Sequence, residues 1–234
     1  MKLLALECAT EQLSVALLID GQLRERVQLA RGPAHGEAVL PLIAELLAEA
    51  QLGLGALDAI AVGRGPGAFT GVRLAISVAQ GLAYSAGLPV IPVSTLAAVA
   101  WHAVQRVPRA AGVLVCQDAR MAEVYTCAYA IQPTGLHALV DEQLCAPQAV
   151  RWPAAAADAA TGPWLGAGSG FAAYPALPVA PGSDTCILAD TPPGAAQVAQ
   201  LAQRAGLTTA LPPDQLQPVY LRDSVAHPAT VNKP

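Results

Sequence analysis

The residues best suited to chemistry in this sequence are a run of glycines and a scatter of acids, histidines and cysteines. The run is Gly65-Pro66-Gly67-Ala68-Phe69-Thr70-Gly71. Glycines allow positive φ and close backbone approach, and a helix N-terminus behind such a loop offers N–H groups to an anion. Gly65, Gly67, Thr70 and Gly71 are therefore candidate contacts for an anion or a nucleotide. A tight strand-to-helix turn would use the same residues. A phosphate loop of the G-x-x-x-x-G-K-[ST] type is excluded, because the only lysines are Lys2 and Lys233. The histidines, at 35, 102, 137 and 227, include no pair three or four apart, so an H-E-x-x-H metal site cannot be built. Ser169 has Ala167 rather than glycine two residues before it, so there is no G-x-S-x-G nucleophile elbow. The five cysteines, at 8, 116, 127, 145 and 186, are odd in number and form no C-x-x-C. They read as buried thiols of a reducing cytoplasm.

The elements that hold these groups follow from periodicity. Leu3–Leu6 and Leu13–Ile19 read as strands, the second ending at the Asp20-Gly21 turn and returning through Gln22–Leu29. Val39, Leu40, Ile43, Leu46 and Leu47 then fall at helical spacing, predicting a helix from near His35 that stops before Gly53. Ala59–Val62 is a buried strand feeding the glycine run. A helix is expected from about Thr70 to Ala86, with Gly87 as its stop. Pro89–Val93 is another strand, and Ser94 can cap a helix running toward Arg106. The second half begins in the same way: a run Val113–Cys116 near Asp118, a strand Glu123–Ile131, a turn at Pro133-Thr134-Gly135, and a return Leu136–Val140. Overlaying Leu6-Glu7 on Gln117-Asp118 predicts a duplicated order of strand, strand, strand, helix, with an acid closing the first strand each time. Further on, Trp164–Gly170 reads as a strand entering a glycine loop. Thr191-Pro192-Pro193 is expected to open a helix with proline just inside its start and Gly206 after its end. Pro218–Arg222 is placed on the sheet, and residues 223–234 form a flexible tail.

Composition limits the function classes. The 234 residues are 54% hydrophobic and 13% charged, enough for a sizeable core and unlike a disordered chain. A net charge of −4 offers no basic footprint for gripping nucleic acid alone. An acid already at Glu7 argues against a secretory leader, and no apolar run approaches a membrane span.

Several segments together carry a resemblance. They are Gly65–Arg73, Gly81-Leu82-Ala83, Val93-Ser94-Thr95-Leu96 and Asp118-Ala119-Arg120-Met121-Ala122-Glu123-Val124-Tyr125. With His35, Leu40-Pro41-Leu42-Ile43 and Tyr220-Leu221-Arg222, they closely resemble the bacterial TsaB (YeaZ) family. The match is dense over residues 1–127, thin over 128–217, and returns at 218–222. The chain departs from the family in having Glu7-Cys8-Ala9 where Asp-Thr-Ser is usual, Ala68 where serine is common, and Ala122 where glycine is.

The resemblance implies an α/β fold of the duplicated actin-like, sugar-kinase and heat-shock-ATPase (RNase H-like) kind, with two lobes, each a mixed sheet flanked by helices. The first lobe would span 1–107 and the second 108–222. Such folds place metal-phosphate carboxylates at the strand ends that Glu7 and Asp118 occupy here. It also implies a cytoplasmic role in tRNA modification. TsaB-like proteins partner the TsaD enzyme, with TsaE as third component, in moving threonylcarbamoyl from its adenylate to N6 of adenosine 37 in tRNAs reading codons that begin with A. TsaC makes that adenylate. The enzymatic relatives hold a metal with two histidines four apart, and the matching positions here are Thr95 and Val99. A hydroxyl is a poor ligand beside imidazole and an isopropyl group is none. A non-catalytic subunit is therefore expected, with no catalytic residues and no metal site of its own. Its partner surface would be the helices at 36–50 and 70–86, through His35, Glu37, Leu40, Ile43, Leu47, Phe69, Arg73, Ile76 and Gln80. That surface would meet TsaD in a heterodimer, or a second copy when alone, and tRNA would be met only through the complex. No resident cofactor is implied, a nucleotide at the subunit junction being the open alternative, with Gly65, Gly67, Thr70, Gly71, Asp118 and Arg120 as its contacts. A peptidase, an ATP-dependent phosphotransferase of the same fold, and a nucleic-acid-binding module are the competing readings.

Overall fold

Short runs of leucine, valine, isoleucine and alanine build two sheets in the computed structural model, which describes residues 1–29, 34–157, 162–178 and 186–222. The first sheet holds β1 (Lys2–Glu7), β2 (Gln12–Ile19), β3 (Gln22–Leu29), β4 (Ala59–Gly63) and β5 (Val90–Val93) in the order β3-β2-β1-β4-β5. β1, β2 and β3 pair antiparallel, and β4 and β5 join parallel. The turn from β2 to β3 is made by Asp20 and Gly21, both with positive φ, as a two-residue hairpin requires. Alternation along β1 sends Leu4 and Leu6 to one face and Leu3 and Ala5 to the other. α1 (Ala34–Glu49) and α2 (Phe69–Ala86) cover the first face, packing Val39, Ile43 and Leu46 beside Val72, Ala75 and Ala79. α2 ends as expected on Gly87, at φ 66°, whose N–H reaches the carbonyls of Ala83 and Tyr84. α1 carries Pro41 in its interior, so the Glu37 carbonyl loses its helical donor there.

The second sheet holds β6 (Gly112–Asp118), β7 (Val124–Gln132), β8 (Gly135–Ala138), β10 (Trp164–Ala167) and β11 (Cys186–Leu188), in the order β11-β10-β6-β7-β8, with the short β9 (Gln143–Cys145) also on β7. Read from the hairpin end, both sheets share one topology: three antiparallel strands, then two parallel ones. This is a duplicated actin-like fold of two mixed-sheet α/β lobes.

The expected repeat of helices is corrected by the structure. Among the described residues, no α-helix follows β8 where α1 follows β3. β9 and single 3-10 turns at Pro147–Ala149 and Ala154–Ala157 stand there instead. Their alanines lack an apolar stripe, and Pro147 and Pro153 break up the segment. The counterpart of the 18-residue α2 is one turn, α4 (Gly170–Ala173). α5 (Ala195–Ala205) starts after Pro192 and Pro193, with Gly194 as its N-cap, so the prolines lead into the helix rather than lying inside it.

Two helices cross between the sheets. α3 (Thr95–Arg106) starts at Ser94, whose hydroxyl accepts from the Ala97 N–H as expected, and follows the first sheet. It buries Leu96, Val99, Ala100 and Ala103 on the second sheet, against Val113, Val115 and Leu165. α5 follows the second sheet and buries Val198, Ala199 and Ala202 on the first, against Leu3, Ala5, Leu18 and Ile91. The two helices meet through Gln105, Gln197, Gln200 and Trp101, whose indole N–H donates to Gln200 at 3.0 Å.

The segment after α5 returns along the first lobe. Leu216 is 1% exposed in the core beneath α2, and Gln80 donates to the carbonyls of Pro213 and Leu216. Residues 218–222 form no strand. Pro218 has no N–H to give, and Val219 makes one backbone bond, to the Arg64 carbonyl just beyond β4. The tail expected at 223–234 lies outside the described residues. No helix among the described residues is long and apolar enough to cross a membrane.

Candidate functional site

The ends of β1 and β6 open into a cleft of about 980 Å³ between the lobes, walled by residues 9–12, the glycine loop, Gln117–Arg120 and Ser169. Thr70 and the N-terminus of α2 face it, and among the described residues no side chain caps that N-terminus. The glycines, however, are required by the chain's own backbone. A Cβ on Gly71 would land on the Cys8 carbonyl oxygen, and one on Gly67 would lie 2.6 Å from the Ala9 Cβ. Ala68 N–H donates to the Ala9 carbonyl at 2.8 Å, fastening the loop to the β1–β2 turn. The second lobe repeats the device, with Gly168 and Gly170 against the Cys116 carbonyl.

The two strand-end acids have different fates. Glu7 is fully buried, accepting from the Ala9 N–H at 2.7 Å and the Thr95 hydroxyl at 3.0 Å. Burial pushes its carboxyl up to about 7, with those hydrogen bonds pulling the other way. Gly63 makes room for it, since a Cβ there would land on the carboxylate. Thr95 is thus engaged by Glu7, and Val99 is buried in the core of the second sheet. Asp118 instead faces the cleft. It accepts from the Arg120 N–H and the Tyr174 hydroxyl and pairs with the Arg120 guanidinium at 3.1 Å. Arg120 also reaches Glu11 of the first lobe at 3.5 Å, spanning the cleft mouth. Among the described residues, no three His, Cys, Asp or Glu side chains converge as a metal site would need.

Beside the cleft, Arg120, Met121 and Ala122 all have positive φ, at 62°, 55° and 57°, an uncommon run for residues with side chains. Arg222 holds this turn. It donates to the carbonyls of Ala119 and Arg120 and pairs with Glu123 at 2.6 Å. The sequence marks Arg222 only through its family pattern, because its partners lie about a hundred residues away.

The residues expected on the helical surface divide. Glu37, Leu40, Phe69 and Arg73 face outward, with Leu40 52% and Phe69 41% exposed. Ile43, Leu47 and Ile76 are buried against the first sheet, and Gln80 is engaged by the returning segment. His35 is 6% exposed on the cleft wall, its Nε2 at 3.2 Å from the Glu11 carbonyl. Sequence reasoning missed one outward feature of this side, Tyr84 at 85% exposure; Gly81, where a Cβ would meet nothing within 4 Å among the described residues, and Tyr220 were marked only by the family pattern. Tyr220 closes over α2, its ring 5.7 Å from that of Phe69 and its hydroxyl accepting from Arg73 Nε at 2.5 Å.

The cysteines need a partial correction. Cys8, Cys116 and Cys127 are buried, but Cys145 is half-buried and Cys186 exposed. Burial pushes the Cys116 thiol up to about 12 and the Cys127 thiol up to about 11, which leaves both unreactive.

Together, the lobes and the cleft define an actin-like protein of the kind that includes threonylcarbamoyltransferases: the family model described as "TsaD: tRNA N6-adenosine threonylcarbamoyltransferase" matches residues 30–229. Within that wider group, the chain is 36% identical over 230 residues to an Escherichia coli K12 protein called "tRNA threonylcarbamoyladenosine biosynthesis protein TsaB", covering 97% of this chain and 96% of that one. A protein of the same name from Haemophilus influenzae is 50% identical over 125 residues, 53% of this chain and 52% of that one. The solved structure "YeaZ from Pseudomonas aeruginosa" superposes with a TM-score of 0.82 at 38% identity, covering 94% of this chain and 99% of that one. A second Pseudomonas aeruginosa structure, described as an uncharacterized protein with similarity to peptidase YEAZ, gives 0.85 at 40% identity over the same shares. The chain belongs to the TsaB (YeaZ) family.

Proposed function

We propose that this protein is a non-catalytic subunit of a tRNA N6-adenosine(37) threonylcarbamoyltransferase complex, partnering TsaD with TsaE as third component. The observation that carries this reading is the fate of the two positions where the enzymatic relatives place metal-binding histidines. Thr95 is turned to the buried Glu7, and Val99 packs in the core. Neither offers nitrogen to a cation, so Lewis-acid activation of a carbamoyl carbon has no ligand pair here. The outward faces of α1 and α2 support the partner role, since Leu40, Phe69 and Tyr84 present apolar and aromatic surface next to Arg73. The net charge of −4 agrees with tRNA being held by another subunit. Threonylcarbamoyl transfer to tRNA by TsaD and TsaE, with and without this chain, tests the proposal. A strong dependence on the chain is expected, and undiminished turnover in its absence would defeat the reading.

A further inference from the structure

The lobes are joined by ties of unequal strength. α3 and α5 bury apolar side chains across the junction, so prising the lobes apart would uncover an apolar face of each sheet. The cleft mouth is closed more lightly, by Arg120 reaching from the second lobe to Glu11 of the first at 3.5 Å. Arg120 stands on a turn in which it, Met121 and Ala122 all have left-handed φ. Side chains oppose that conformation in succession, so the turn persists only where something outside it holds it.

The holder is Arg222. Its guanidinium donates to the carbonyls of Ala119 and Arg120 at 3.1 and 3.4 Å, to Sδ of Met121 at 3.0 Å and to Glu123 at 2.6 Å. Within the turn, the Glu123 N–H donates to the Arg120 carbonyl and the Ala119 N–H to the Glu123 carbonyl. Just upstream, the same segment is anchored on the first lobe. The Val219 N–H donates to the Arg64 carbonyl at 2.9 Å, and Tyr220 lies against Phe69 with its hydroxyl accepting from Arg73. This short stretch therefore runs a tie from the outer side of α2 to the cleft mouth. Phe69 and Tyr220 keep part of their rings exposed, so a surface that covers them bears on the tie directly.

We propose that residues 219–222 are a clasp. By seating Tyr220 on α2 they hold Arg222 in the turn at 119–123 and keep Arg120 across the cleft mouth, so that contact on the outer side of α2 governs access to the cleft. Arg222 is a positioning residue, acting through the turn. The clasp is internal to the chain and works whichever partner covers α2.

Hydrogen exchange of the full-length chain, followed by mass spectrometry, tests it. Arg222→Met is expected to speed exchange of the amides of 119–123 about tenfold while those of β1 and α5 stay protected. Arg222→Lys keeps the charge beside Glu123 without the fork and is expected to fall between. Phe69→Ala and Tyr220→Ala, at the far end of the tie, are expected to speed the same amides about threefold. Tyr84→Ala, exposed near the other end of α2, is expected to leave them unchanged. Thr10→Cys, on the cleft wall, reads the mouth itself through its rate of labelling by a bulky maleimide, which adding Arg222→Met or Phe69→Ala should raise severalfold. If Phe69→Ala and Tyr220→Ala leave 119–123 at wild-type rates, the turn is not governed from α2 and the clasp is refuted. It is refuted equally if Arg222→Met speeds exchange throughout the chain, since Arg222 then only stabilises the fold, or if the labelling rate at position 10 does not change.

Discussion

Glu7 keeps a proton that the unfolded chain would have lost. Its carboxyl titrates at about 7 in the folded protein, against 4.5 when unperturbed, so between those values the native state binds the extra proton. Stability from this group is therefore present at low pH and is lost as pH rises through that window, by on the order of 3 kcal/mol. Glu7→Gln is expected to flatten the fall in unfolding free energy between pH 5 and 8, as read by denaturant titration at each pH. An equally steep fall in the variant would place the dependence elsewhere. Gly71→Ala is expected to cost roughly 2–4 kcal/mol or prevent folding, because its methyl group has to displace the Cys8 carbonyl. Both acids were visible in the sequence as strand-end residues. Their different fates were not, because what seals Glu7 is Gly63 and Thr95, brought in from β4 and from the start of α3.

Among the elements, those with local signals were legible. Asp20-Gly21 turns a hairpin, Gly87 stops α2 and Ser94 caps α3, each within a residue or two of expectation. Ser94→Ala is expected to lower stability by about 1 kcal/mol through the cap alone, and by more because the hydroxyl also bonds Glu142. Thermal melts of that variant beside Ser85→Ala, an exposed serine late in α2, would isolate the effect. Elements whose form depends on the rest of the molecule were misread. The repeat seen in the strands suggested a matching helix after β8, yet the segment there lacks an apolar stripe, and β9 fills the place. The prolines before α5 looked like first-turn residues because sequence does not show that Ser14 and Glu25 receive the helix start instead. They accept from the N–H groups of Ala195 and Ala196.

At the scale of the molecule, the duplication was legible in the strand order, and the exchange of helices was not. α3 continues from the first sheet and α5 from the second, and nothing in either sequence says that each lies on the other's sheet. A fragment ending at residue 107 would leave Leu3, Ala5, Leu18 and Ile91 uncovered. It is expected to bind a hydrophobic dye and lack a cooperative melt, whereas the full chain should unfold in one transition when followed by calorimetry and by tryptophan fluorescence. A fragment that melted cooperatively would show that the first lobe does not need α5.

The same exchange sets an order of events on the ribosome. The first sheet can pair its strands once residue 93 has emerged, but its second face stays bare until Ala195–Ala205 is translated. At 5–20 residues per second, the growing polypeptide carries that sticky surface for roughly 5–20 s, long enough for a chaperone to be its first companion.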